Sequence, residues 1–167
     1  MWFFTADEHY YHEKIIKYTN RPFVDVAEMN SSLIRAFNLL VGKDDVTVHA
    51  GDFSFGTKKE TLDIVKKLNG THIFLKGCHD RWLSDSAKYI WRKTIEGQFV
   101  VVCHYCLRVW PQSHYNSWHL YGHSHGRLPA LGKSLDVGVD NNSYFPYSWT
   151  DVKETMAFKE DNFNLVR

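Results

Sequence analysis

Apolar positions in this chain come as short runs that stop abruptly at polar or glycine residues. Met1 to Ala6 is such a run and predicts a buried strand. His12 to Tyr18 predicts a short helix, broken by Asn20-Arg21-Pro22. Asp25 to Val41 predicts a longer one. Val26, Met29, Leu33, Ala36, Phe37 and Leu40 share a face at helical spacing, Asp25 and Glu28 form a capping-box pair, and Gly42 closes the helix. Val46 to Ala50 reads as a strand. Thr57 to Asn69 reads as a helix capped by Thr57 and Glu60, with Leu62, Val65 and Leu68 inward and Gly70 as its stop. Four further strands are expected, at Thr71 to Lys76, Phe99 to Cys103, Trp118 to Tyr121 and Leu135 to Val139.

One regularity organises these elements. Strand after strand ends in Asp, Gly or His: Asp7 and His9, Asp52, His79 and Asp80, His104, His123 and His125. Strands alternating with helices predict a layered α/β fold. In such folds ligand sites gather beyond the carboxyl ends of the strands.

Composition narrows the class. At 167 residues the chain has the size of one domain, 1–167, and 44% hydrophobic residues supply a core. A formal net charge of +1 gives no global attraction to nucleic acid or anionic membrane. No run approaches a membrane span, and no leader is visible at the start. Three cysteines do not make a disulfide framework, so a reducing cytoplasm is the expected setting.

The strand-end residues carry the chemistry. Residues two apart in extended backbone point the same way, so Asp7 and His9 can grip one ion. The carboxylate of Asp52 has two oxygens, enough to bridge two cations. Cys78, His79 and Asp80 follow Gly77, and His104, His123 and His125 add imidazoles. Mixed nitrogen and oxygen donors suit Mn, Fe, Zn or Ni. Two such divalent ions can clamp a phosphate and activate water, and a nearby imidazole can protonate the leaving alcohol.

Asp7-Glu8-His9, Gly51-Asp52, Gly77-Cys78-His79-Asp80, His104 and Gly122-His123-Ser124-His125 resemble, in this order, the calcineurin-like metallophosphoesterase pattern. Asn20-Arg21-Pro22-Phe23, His104-Tyr105 and Val137-Gly138-Val139-Asp140 resemble a compact bacterial and phage subgroup. The resemblance implies a two-sheet β-sandwich flanked by helices. It implies one metal on Asp7, His9 and His125, another on His104 and His123, and Asp52 bridging them. It makes His79 the general acid or phosphate stabiliser, with Asp80 orienting its ring.

Cys78 departs from the pattern, which has asparagine there. It is read as a thiolate ligand, as a bystander beside a weaker second site, or as a change that lowers activity. Cys106 stands where relatives usually have proline and is read as a loop variant. The arginine that follows Gly-Asp in protein Ser/Thr phosphatases is absent here. Arg21, Arg81 and Arg108 are therefore candidates for the phosphate, and His12 for the pocket wall. Trp110, Trp118 and Tyr115 are read first as packing residues, with ring stacking as the alternative.

The expected function is hydrolysis of a small phosphodiester or phosphomonoester, nucleotides included, without strong nucleic-acid binding. The rivals are a catalytically impaired binding module on the same fold, and a nuclease or RNA-end processing phosphatase. Oligomeric state is not legible.

Overall fold

A computed structural model describes residues 1–129 and 131–166. It contains two four-stranded sheets. In the first, β1 (Trp2–Thr5) lies between β2 (Val46–His49), which is parallel to it, and β8 (Tyr147–Ser148), which is antiparallel. β3 (Thr71–Phe74) extends this sheet in parallel beyond β2, giving the order β3-β2-β1-β8. The second sheet runs β4 (Ile90–Ile95), β5 (Gln98–Cys103), β6 (Trp118–Tyr121), β7 (Ser134–Asp136). There β4 and β5 form a hairpin, and β5, β6 and β7 are parallel. Glu96 and Gly97, both at positive φ, make its two-residue turn.

Strand alternation builds the layers. Phe4, Val48, Val100, Val102 and Leu120 meet between the sheets. Phe3 and Phe53 instead pack against α1 (Glu13–Tyr18), α2 (Val26–Leu40) and α3 (Lys58–Val65), through Ile15, Met29, Leu33, Phe37 and Ile64. On the outer face of β6, His119 and Tyr121 are covered from the 104–117 segment, where Trp110 packs on His119 at 5.2 Å. Among the described residues no helix is long and apolar enough to cross a membrane.

The expected elements need several corrections. Asp25 does cap α2, but the Glu28 carboxylate accepts from Val24 N rather than from the cap itself. That helix ends at Val41 in extended backbone, so no left-handed Gly42 closes it. Leu40 is exposed, as is Leu62 in α3, whose buried face is Thr61 and Ile64. The capping box of Thr57 and Glu60 is present in full. β4 escapes the pattern because it is an edge strand with exposed Arg92 and Lys93. β8 and α4 (Trp149–Ala157) also lie outside the sequence reading.

The consequence for function is alignment. β1, β2, β3, β5, β6 and β7 all deliver their carboxyl ends to one edge of the sandwich. Beyond β1 and β2 the chain stays paired, with Asp7 N on Gly51 O, His9 N on Asp52 O and Tyr10 N on Phe53 O. Two ligand-bearing loops are thereby locked side by side.

Candidate metal centre

Two groups of donors converge at that edge. Asp7, His9 and His125 offer atoms within 4.8 Å of one another, and so do Asp52, Cys78, His104 and His123. Asp52 joins the groups. Its Oδ2 is 3.2 Å from His104 Nε2 and 3.9 Å from His9 Nε2, while its Oδ1 accepts from His79 N at 2.9 Å.

The backbone is bent to achieve this. Asp7, His9, Asp52, His123 and His125 all have φ between 47° and 69°. Left-handed backbone costs a non-glycine residue about 1–3 kcal/mol, and such positions concentrate at functional sites. Glycines make room for the approach. A Cβ on Gly77 would collide with Asp52 Oδ1, and one on Gly122 would stand 2.8 Å from Asp7 Oδ2.

The buried donors are aimed rather than satisfied. Asp7 Oδ2 accepts from His123 N at 2.8 Å, but Asp7 Oδ1 and His9 Nε2 are buried without a hydrogen-bond partner. Unpaired buried polar atoms are costly, and two in one donor group fit a role as metal ligands. The imidazoles are oriented from behind. His104 Nδ1 sits on Ala50 O at 3.0 Å, leaving Nε2 to face His123 Nδ1 at 3.2 Å. His125 Nδ1 pairs with Asp140 Oδ2 at 2.7 Å, and Arg21 holds the same carboxylate. This is the carboxylate–histidine arrangement that fixes tautomer and raises ligand basicity.

The electrostatics agree. Burial, then the carboxylates of Asp136 and Asp52, push the Asp7 carboxyl well above its ordinary value. Burial lowers His9 to about 2, which keeps its ring in the neutral, metal-binding form. Burial works against Asp52 ionisation, yet the His104 imidazole and the His79 N–H hold it down at about 2. Carboxylates crowded in this way beside neutral imidazoles suit a bound cation.

Cys78 Sγ lies 3.6 Å from His123 Nδ1 and 2.8 Å from the Tyr105 hydroxyl. Burial raises the thiol, with the Tyr105 hydrogen bond acting the other way. Cys103 is buried, and Cys106 makes no part of either donor group.

A cavity of about 540 Å³ opens over the donors. His12 and His79 line it, together with Phe55, Ile15, Tyr18 and Arg127. His12 stacks on Phe55 at 3.8 Å, and His9 and His12 face each other through their Nδ1 atoms at 3.1 Å. His79 is half exposed, with Nε2 4.0 Å from Asp52 Oδ2.

Several expected roles change. Asp80 does not orient the His79 ring. Its carboxylate accepts from the backbone N–H groups of Asp52, Phe53 and Gly77 and from Trp82 Nε1, so it ties the Gly51 and Gly77 loops together. Arg21 does not reach the cavity: its guanidinium is spent on Asp140 and on the carbonyls of Asp7 and Glu8. Arg81 lines a smaller cavity of about 150 Å³ beside His79, and Arg108 lies over the Phe163 ring. Trp110 is buried, Trp118 joins the core, and Tyr115 is absent from the cavity wall. Sequence reasoning missed Phe55, Tyr105, Arg127 and the supporting role of Asp140. Position alone, two residues past His125, was the available signal for Arg127.

No protein-family profile matches the chain. It is 32% identical over 158 residues to the uncharacterised protein MJ1445 of Methanocaldococcus jannaschii, covering 86% of this chain and 84% of that one. A protein of unknown function from Aquifex aeolicus, AQ665, superposes with a TM-score of 0.71 at 21% identity, over 93% of this chain and 98% of that one. That likeness shows a shared fold. A predicted phosphoesterase from Streptococcus pneumoniae superposes with a TM-score of 0.46 at 17% identity, over 82% and 70% of the two chains.

Proposed function

We infer the function of a chain that belongs to the family of the Methanocaldococcus jannaschii protein and has the calcineurin-like metallophosphoesterase fold: it is a metal-dependent phosphoric ester hydrolase. The observation that carries this reading is the pair of donor groups joined by Asp52.

Asp7, His9 and His125 would hold one divalent ion, and Cys78, His104 and His123 the other, with Asp52 between them. Mn, Fe, Zn or Ni suits these donors, and the sulfur favours Zn or Fe at the second position. When bound, such ions lower the pKa of water and offset charge on phosphate oxygens.

The protein's own groups do the rest. Asp140 and Arg21 fix the His125 ring, and Ala50 O fixes that of His104. Asp80 keeps the Asp52 loop against the Gly77 loop. His79 lines the cavity beside Asp52, held by its backbone N–H to that carboxylate, and gives its Nε2 proton to the leaving alcohol. The cavity leaves room for a second ester substituent, which favours phosphodiesters over monoesters. A net charge of +1 gives no basic stripe for tight nucleic-acid binding.

The test is hydrolysis of bis-p-nitrophenyl phosphate by purified protein. Activity should vanish on chelation and return with Mn, Ni or Zn. A well-folded protein inactive with every added metal would make it a binding module instead.

A further inference from the structure

Resting on the phosphoesterase reading, we propose that the cavity beyond the donors is a subsite for one class of substituent: a planar aromatic group bearing a second anion, which Arg127 reads.

The walls argue for the ring. Phe55 and Tyr18 line the cavity and are 38% and 58% exposed, so their rings are open to a ligand. The His12 ring stacks on Phe55 with an interplanar angle of 18°, and Phe55 in turn stands 4.5 Å from the His79 ring. Tyr18 meets His12 edge-on at 6.2 Å. A line of ring faces thus runs outward from the acid at the reacting centre, with buried Ile15 as an apolar floor. Flat π surfaces are matched by another flat ring.

The charge argues for the anion. Asp52, at the metal end, is the one carboxylate lining the cavity among the described residues. Arg127 is at the wall nearest Tyr18, because its Nη2 donates to Tyr18 O at 2.7 Å. It makes no ion pair among the described residues, whereas Arg21 is neutralised by Asp140. An anchored, unneutralised guanidinium beside an aromatic wall recognises a carboxylate or phosphate in bidentate fashion. The geometry therefore asks for an ester whose ring lies along the wall of His12, Phe55 and Tyr18 and whose distal anion reaches Arg127.

Competitive inhibition of bis-p-nitrophenyl phosphate hydrolysis by three phosphonates tests this. Phenylphosphonate should bind about tenfold tighter than methylphosphonate, through the ring wall. 4-Carboxyphenylphosphonate should gain about another tenfold, through Arg127. Arg127→Met, which keeps the apolar stem, should erase only the second gain. Tyr18→Ala, at an exposed position, should shrink the first. Equal inhibition by all three in an active enzyme would overturn the proposal and leave the hydrolase reading standing. A carboxylate gain that survives Arg127→Met would also overturn it. No hydrolysis with any metal would overturn the hydrolase reading, and the subsite with it.

Discussion

Arg21 and Asp140, 119 residues apart in sequence, meet through two parallel hydrogen bonds, Nε to Oδ1 at 2.8 Å and Nη2 to Oδ2 at 2.9 Å. The pair is buried, and its second carboxylate oxygen also accepts from His125 Nδ1. Burial opposes Asp140 ionisation, but His125 and Arg21 hold its carboxyl down at about 2. The charge is therefore fixed behind a donor ring, where it sets the tautomer. Asp140→Asn keeps the shape and removes the charge. Affinity at the Asp7, His9 and His125 group should fall about 10- to 100-fold, read by competition with a metal-sensitive chelator.

The same pair predicts a structural effect. Arg21→Ala would strand the Asp140 carboxylate and the carbonyls of Asp7 and Glu8 in a dry region. Stability should drop by about 3–5 kcal/mol, measured by urea unfolding. A loss under about 1 kcal/mol would mean that solvent replaces the guanidinium.

Cys78 and Tyr105 make a spectroscopic prediction. The Tyr105 hydroxyl lies 2.8 Å from the sulfur and is pushed up to about 12, first by this contact and then by burial. Protein loaded with Co(II) should show thiolate-to-metal charge-transfer absorption. Cys78→Asn should abolish the band, and Tyr105→Phe should shift it by removing the hydrogen bond to sulfur. A spectrum indifferent to Cys78→Asn would make the cysteine a bystander.

Asp52→Asn should keep the fold and lose turnover by more than about a hundredfold, beyond the cost typical of losing an outer partner of a ligand. Steady-state hydrolysis alongside far-UV circular dichroism reads both. Near-normal turnover would contradict a shared Asp52.

His119 predicts a pH effect away from the metals. It is fully buried, Leu107 N donates to its Nε2 at 3.0 Å, and Nδ1 faces Val101 O at 3.2 Å. Burial lowers its pKa from 6.5 to about 4. The unfolded chain thus takes up a proton that the folded one refuses. Stability is present in full above about pH 6.5 and declines as pH falls toward 4, by about 3 kcal/mol at about 1.4 kcal/mol per pH unit. His119→Gln should flatten that segment of a urea-midpoint profile recorded in chelator.

The donors were legible because each sits at a strand end, where local sequence announces it: an apolar run, then Gly or Asp, then His. The strand ends themselves converge because parallel strands share a direction. What was not legible depends on tertiary pairing. Nothing local to Arg21 reveals that Asp140 will neutralise it, and nothing near Asp80 reveals the N–H groups of Asp52 and Phe53 waiting on another loop. Helix α4 carried its signal openly, in the capping box of Ser148 and Asp151 ahead of Val152 and Met156. Strand β4 hid behind exposed charge on an edge.

Metal stoichiometry in ligand variants addresses the centre directly. Protein loaded with Mn or Zn and freed of excess should hold two ions per chain. His125→Ala and His104→Ala should each hold one, and the double variant none. Wild-type protein that retains less than one ion per chain under every loading condition, or single variants that keep both, would contradict two cations shared across Asp52.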